Sequence, residues 1–121
     1  MNFKDNRPIY LQVYEEILRQ LLVGKLKAGD KLPAIRDMAK DFKVNPNTIS
    51  KSMQELETTG LFETQRGLGT FVTEDKNRMK ETLDTYVKEK IHGFMDEFEN
   101  MGITIDQIMK YLEEYKDGNH S

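Results

Sequence analysis

The run Leu32–Gly60, LPAIRDMAKDFKVNPNTISKSMQELETTG, decides the fold. It reads as two short helices around a tight turn. The second opens with Asn45-Pro46-Asn47-Thr48. Asn45 suits an N-cap, because its side-chain oxygen can accept from an otherwise unpaired amide of the first turn. Pro46 then takes the first helical position, where a missing N–H costs nothing. Ile49, Met53 and Leu56 follow at i, i+4 and i+7, one apolar face. Opposite them lie Asn47, Ser50, Lys51 and Gln54, none bulky or apolar. Amide, hydroxyl and ammonium groups of this kind match the base edges and phosphates of a DNA major groove. The first helix, Ala34 to Phe42, begins after Pro33 and is expected to bury Ile35, Met38, Ala39 and Phe42. Only Lys43 and Val44 separate it from the Asn45 cap, the length of a helix-turn-helix connection.

Upstream, Pro8-Ile9-Tyr10 starts a longer helix, with Tyr10, Tyr14, Ile17, Leu18, Leu21 and Leu22 at helical spacing and an end near Gly24. Its aromatics are read as core or dimer contacts. Gly29-Asp30 marks a turn between Leu26 and Leu32 that packs this helix back on the other two. Downstream, Gly60 is placed to close the second helix as a left-handed cap. Then comes LFETQ-RGLG-TFVTE, two short β-prone runs (Leu61-Phe62 and Phe71-Val72) joined through Gly67 and Gly69. Two strands are marginal alone and must lean on the helices. A hairpin in this position is a wing. Arg66 at its tip can reach a minor groove, and Gly67 and Gly69 let the backbone approach phosphate.

From Lys76 the pattern changes. Met79, Leu83, Tyr86, Val87, Ile91, Phe94, Met95 and Phe98 draw a helical stripe to about Glu99, and Gly102 interrupts it. Thr104-Ile105-Asp106-Gln107 is a capping box, with Ile103 and Ile108 placed for a hydrophobic staple. The last helix shows Ile105, Ile108, Met109, Leu112 and Tyr115 on one side and runs to about Tyr115, before a frayed tail from Lys116 to Ser121. Two such helices have too little core between them to stand alone, so a second copy of the chain is expected to cover them. The expected fold is mainly α with a small β-hairpin, a winged helix-turn-helix over residues 1–75 and a two-helix dimerisation tail over 76–121. A small-molecule effector seated among Tyr86, Phe94, Phe98 and Tyr111 is the alternative to those aromatics filling a dimer core.

Composition sets outer bounds. Charged residues make up 32% and apolar ones 37% of 121 residues, a balance that belongs to globular rather than disordered chains. Without cysteine there is neither a disulfide framework nor a thiolate metal site. No apolar run approaches the roughly 18 residues of a membrane span. The start MNFKDNRPIY lacks a signal peptide's apolar core, so a cytoplasmic location is expected. The net charge of −3 falls in the tail: residues 1–75 hold 11 Lys/Arg and 11 Asp/Glu, residues 76–121 hold 7 and 10. Lys31, Arg36, Lys40, Lys43 and Lys51 outnumber Asp37 and Asp41 around the two short helices. A local surplus of this kind is what phosphate neutralisation requires.

Nothing points to catalysis. The histidines are His92 and His120, and Glu89, His92 and Asp96, at i, i+3 and i+7, are read as a solvated face rather than a metal site. Gly67-Leu68-Gly69 is not followed by a helix start and so fails as a dinucleotide fingerprint. No cofactor is expected, and the chain is read as a non-enzyme.

PIYLQVYEEI, LPAIR, VNPNT and GLGTFV, in that order, make the chain resemble the GntR family of bacterial transcription regulators from Pro8 to Val72. The VNPNT variant and the short two-helix tail look like the YtrA subfamily, whose members dimerise through that tail. The resemblance implies a homodimeric repressor on a double-stranded DNA operator, often of a transporter operon. It also implies DNA contacts from Arg36, from Asn45, Asn47, Thr48 and Ser50, and from the wing glycine Gly67. On that hypothesis Asn47, Ser50 and Lys51 lie nearest the bases, Arg36 and Thr48 grip phosphates, and the wing with Arg66 holds the flank. Many family members carry arginine where this chain has Pro46 and Ser50, so their base preferences do not transfer. Larger relatives carry effector-binding or aminotransferase-like domains; over Lys76 to Ser121 neither is expected. The competing reading from another class is a winged-helix module for protein–protein assembly, its basic face incidental.

Overall fold

In the computed structural model, which describes residues 6–118, the first helix α1 (Ile9–Leu22) starts behind Pro8. A proline there forfeits no helical hydrogen bond, and its carbonyl accepts from Leu11 N at 3.1 Å. Val13, Ile17, Leu18 and Leu21 face inward. So does Gln12, whose amide satisfies itself by donating to Arg7 O at 3.0 Å. Leu22, expected in the stripe, is 44% exposed. It lies past the edge of a face centred on Val13, Ile17 and Leu21. Tyr10 and Tyr14 are half-buried.

Helices α2 (Ile35–Phe42) and α3 (Pro46–Thr58) form the helix-turn-helix. Asn45 caps α3 as its sequence position implied, Oδ1 accepting from Asn47 N at 2.8 Å. Lys43 closes α2 in the left-handed region, φ 58°, one of the few ways to reverse the chain in so short a connection. Met38 and Ala39 are buried and Phe42 half-buried. Ile35 departs from expectation at 41% exposed, because it is the first residue of α2 and sits on the rim of an open cleft rather than beneath the helix. α1 and α2 both pack on α3, which contributes Ile49, Met53 and Leu56 to the core. Ser52, also fully buried, shares its one hydroxyl proton between two carbonyls, Tyr10 O at 2.7 Å and Thr48 O at 3.0 Å. A buried hydroxyl with those partners costs little and ties α3 to α1.

Gly60, at φ 77°, follows the C-cap of α3 and lets the chain turn into the hairpin. Strands β1 (Phe62–Gln65) and β2 (Gly69–Val72) pair antiparallel, Phe62 opposite Val72 and Gln65 opposite Gly69. Leu61, Phe62 and Val72 are buried, which is how the hairpin leans on the helices. The other edge of β2 is also paired. Val72 N donates to Asp30 O at 2.8 Å, and Leu32 N to Thr70 O at 2.8 Å, with Lys31 bridged to Phe71. The segment Gly29–Leu32, expected only as a turn, is therefore a short third rung of the wing.

The chain divides into two compact units, residues 1–83 and 84–121, the division falling inside the long helix α4 (Lys76–Asn100). In the second unit Gly102, φ 75°, ends the α4 segment and Thr104 caps α5 (Ile105–Lys116). The capping box is complete: Thr104 N donates to Gln107 Oε1 at 2.8 Å and Gln107 N to Thr104 Oγ1 at 3.2 Å. Ile108 is buried and Ile103 half-buried. By contrast Val87, Ile91, Phe94, Ile105, Met109 and Leu112 are all exposed. Phe94 and Phe98 stack edge to face at 4.7 Å, and Lys90 lies over the Tyr86 ring at 5.4 Å. His120 lies outside the described residues. Among those described, no helix is long and apolar enough to cross a membrane and no three metal-ligating side chains converge.

Candidate nucleic-acid interface

The burial of Ile49, Ser52, Met53 and Leu56 fixes which side of α3 looks outward. Asn47, Lys51 and Gln54 are exposed on that side, with Ser50 and Thr48 half-buried along its two margins. The amino end of α3 thus presents short polar groups on a rigid scaffold, the geometry that major-groove readout asks of a recognition helix. Asn45 is engaged in its own cap through Oδ1, which leaves the amide NH2 as the outward-facing donor.

Arg36 is exposed in the first turn of α2. Ala34, the N-cap, makes no side-chain hydrogen bond, so the backbone amides of this turn have no side-chain cap. Across an open cleft from the start of α2 stand Leu68, Gly69 and Thr70 of the wing, with Met53 of α3 and Lys31 also in the lining. The wing tip carries Arg66 and Gly67, both exposed. Gly67 needs its glycine for conformation, φ 79°, whereas a Cβ there would meet nothing else in the chain. Its backbone is open to an approaching partner. Gly69 is different. At φ 120° it is also conformationally restricted, and a Cβ would lie 2.8 Å from Lys31 Cε. The alkyl chain of Lys31 runs across the wing at this glycine.

One side chain points elsewhere than the sequence reading expects. Lys51, expected to point at bases, has its ammonium over the Tyr10 ring, 4.2 Å from the centroid. Thr48 shares with Ile9, Tyr10, Asn47 and Lys51 a shallow cleft on the α1 side of α3. Lys31 and Tyr10, which line these clefts, and Ser52, which ties α3 to α1, are not among the candidate contacts read from the sequence. Only Lys31 left a signal, as one of the five local basic residues. Elsewhere on α1, the guanidinium of Arg19, 2.8 Å away, holds the Glu16 carboxyl below the usual carboxylate range.

Comparison with known proteins places this geometry. Residues 9–72 match the family model described as bacterial regulatory proteins, gntR family. The HTH-type transcriptional repressor YtrA of Bacillus subtilis is 34% identical over 112 residues, spanning 92% of this chain and 86% of its own. A GntR family transcriptional regulator from Listeria monocytogenes superposes with a TM-score of 0.84 at 35% identity, covering 93% of this chain and 98% of that one. The solved complex AraR(DBD) with operator ORR3 aligns at 33% identity and a TM-score of 0.54, over 60% of this chain and 88% of that one.

Proposed function

The chain belongs to the gntR family of bacterial regulatory proteins, in its YtrA-like branch, and from that premise we propose that it is a repressor binding a pseudo-palindromic DNA operator as a homodimer. The observation that carries the reading is the outward side of α3, polar from Asn47 to Gln54, with exposed Arg36 at the start of α2 and exposed Arg66 and Gly67 at the wing tip. Each α3 would enter a major groove with Asn47 and Ser50 toward the base edges. Arg36 would hold phosphate, and the wing would lie on the flank. The operator-bound AraR domain supports the mode of binding. The exposed apolar residues of the 84–121 unit support a second copy of the chain as their cover. The assembly-module reading lacks a comparable feature, since the exposed side of α3 is polar rather than apolar.

The test is a gel shift with the promoter region of the chain's own gene, at low salt and with the oligomeric state measured in parallel. A discrete complex that survives non-specific competitor DNA is expected. A confirmed dimer that binds no such fragment would favour assembly instead.

Two substitutions separate backbone from base contacts. Arg36→Ala is expected to weaken binding by a similar factor across operator variants and to flatten the salt slope by about one unit, the signature of one lost phosphate contact. Asn47→Ala is expected to relax preference at one base position, at about 1–3 kcal/mol there. Titration of both variants against a panel of base-substituted operators, across salt, distinguishes them. Equal loss on every sequence for both would show that the sorting is wrong.

A further inference from the structure

Tyr10 touches α3 twice. Its carbonyl receives the buried Ser52 hydroxyl at 2.7 Å, which fixes the start of α1 against the flank of α3. Its ring then receives the Lys51 ammonium at 4.2 Å. By helical spacing Lys51 belongs to the centre of the exposed side, one turn after Asn47 and just before Gln54. An extended lysine at that place would project into whatever the side meets. Here the ammonium turns toward α1 instead, into the shallow cleft lined by Ile9, Tyr10, Asn47 and Thr48.

We propose that Tyr10 is a specificity-determining positioning residue. By holding the Lys51 ammonium at the α1 edge of α3, it assigns that charge to a DNA phosphate and leaves the groove floor to Asn47 and Ser50. The proposal rests on the reading that α3 enters DNA. Its physics is simple. An aromatic face attracts a cation through its quadrupole and still leaves the ammonium's outer N–H donors free. A compact point charge with free donors at the groove margin suits a phosphate oxygen. Released from the ring, the same flexible stem could reach the O6 and N7 acceptors of guanine, a commonly read pair of atoms. The aromatic ring thus removes one base-reading option from the recognition helix.

The test is a double-mutant cycle in the full chain, read on the operator and its base-substituted variants across salt. It uses Tyr10→Phe, Tyr10→Leu, Lys51→Gln and the Tyr10→Leu/Lys51→Gln pair. Lys51→Gln is expected to weaken all sequences alike, by about three- to tenfold, and to lower the salt slope by about one. Tyr10→Phe keeps the π face and should behave as the unchanged chain. Tyr10→Leu should change preference at one base position by at least about threefold, on the scale of an exposed cation–π contact released and re-used, and the pair should abolish that change. A DNA-free readout accompanies it. The Lys51 ε-methylene protons should be shifted upfield by the ring in the unchanged chain and in Tyr10→Phe, and should lose the shift in Tyr10→Leu. If Tyr10→Leu does not fold, Tyr10→Phe, Lys51→Gln and the proton shift carry the decision. Lys51→Gln acting at one base position alone, or an absent ring shift, would overturn the proposal. A ring shift in a chain that binds no DNA would locate the failure in the reading of α3, and the proposal would fall with it.

Discussion

A chain ending at Leu83 is expected to fold as a monomer and to bind the operator about a hundred- to ten-thousandfold more weakly than the full chain. That span is what a second linked site typically contributes. The cut respects the compact unit. It keeps the α4 start, where Asp75 accepts from Arg78 N at 3.0 Å and Arg78 packs beside Gly60. It removes Val87, Ile91, Phe94, Ile105, Met109 and Leu112, all exposed in a single chain. Burying side chains of this size stabilises an assembly by about 1.5–3 kcal/mol each before ordering costs, enough in sum for a firm dimer. One recognition helix reads only a few base pairs, so specific affinity depends on two half-sites held about one helical turn apart. Sedimentation of both chains with operator titrations checks the pair of effects together. A shortened chain that stays dimeric and keeps its affinity would move the dimer contact to α1.

How much of this was legible beforehand depended on whether the signal was local. The α2-turn-α3 unit, the Asn45 cap, the Gly60 turn and the Thr104/Gln107 box all depend on residues within a few positions of one another, and each appears where the sequence placed it. The polar side of α3 was legible for the same reason, since period alone separates Asn47 and Gln54 from Ile49 and Leu56. What escaped was set by distant pairing. Asp30-Lys31-Leu32 is too short and too poor in β-branched residues to read as a strand, and its bridge to Phe71 depends on the free edge of β2. Lys43 takes a left-handed conformation that glycine or asparagine would have advertised. The turn of Lys51 toward α1 depends on Tyr10, whose carbonyl is bound by Ser52 from 42 positions along the chain. A helical wheel of α3 alone contains no trace of it.

That separation between scaffold and reading side makes the remaining prediction sharp. Leu56 is fully buried, on the side of α3 opposite Asn47 and Gln54. Leu56→Ala removes most of an apolar side chain from a packed interior and leaves a cavity that neighbours fill only in part. The expected cost is about 2–5 kcal/mol of stability. For a unit of this size each kcal/mol lowers the melting temperature by roughly 4–8 °C, a large share of the margin of a small domain. Yet no polar group of the outward side moves from its place in the sequence or its register on the helix. Below the melting transition, the base preferences of Leu56→Ala should therefore match those of the unchanged chain, even as its stability collapses. Asn47→Ala should do the reverse, with an altered preference at one position and a melting temperature nearly unchanged, as for an exposed substitution. Thermal melts paired with operator-panel titrations at a temperature where both variants are folded measure the two axes separately. A shifted base preference in folded Leu56→Ala would mean that core packing sets the angle at which α3 meets the groove, and that the two sides of the helix are not independent.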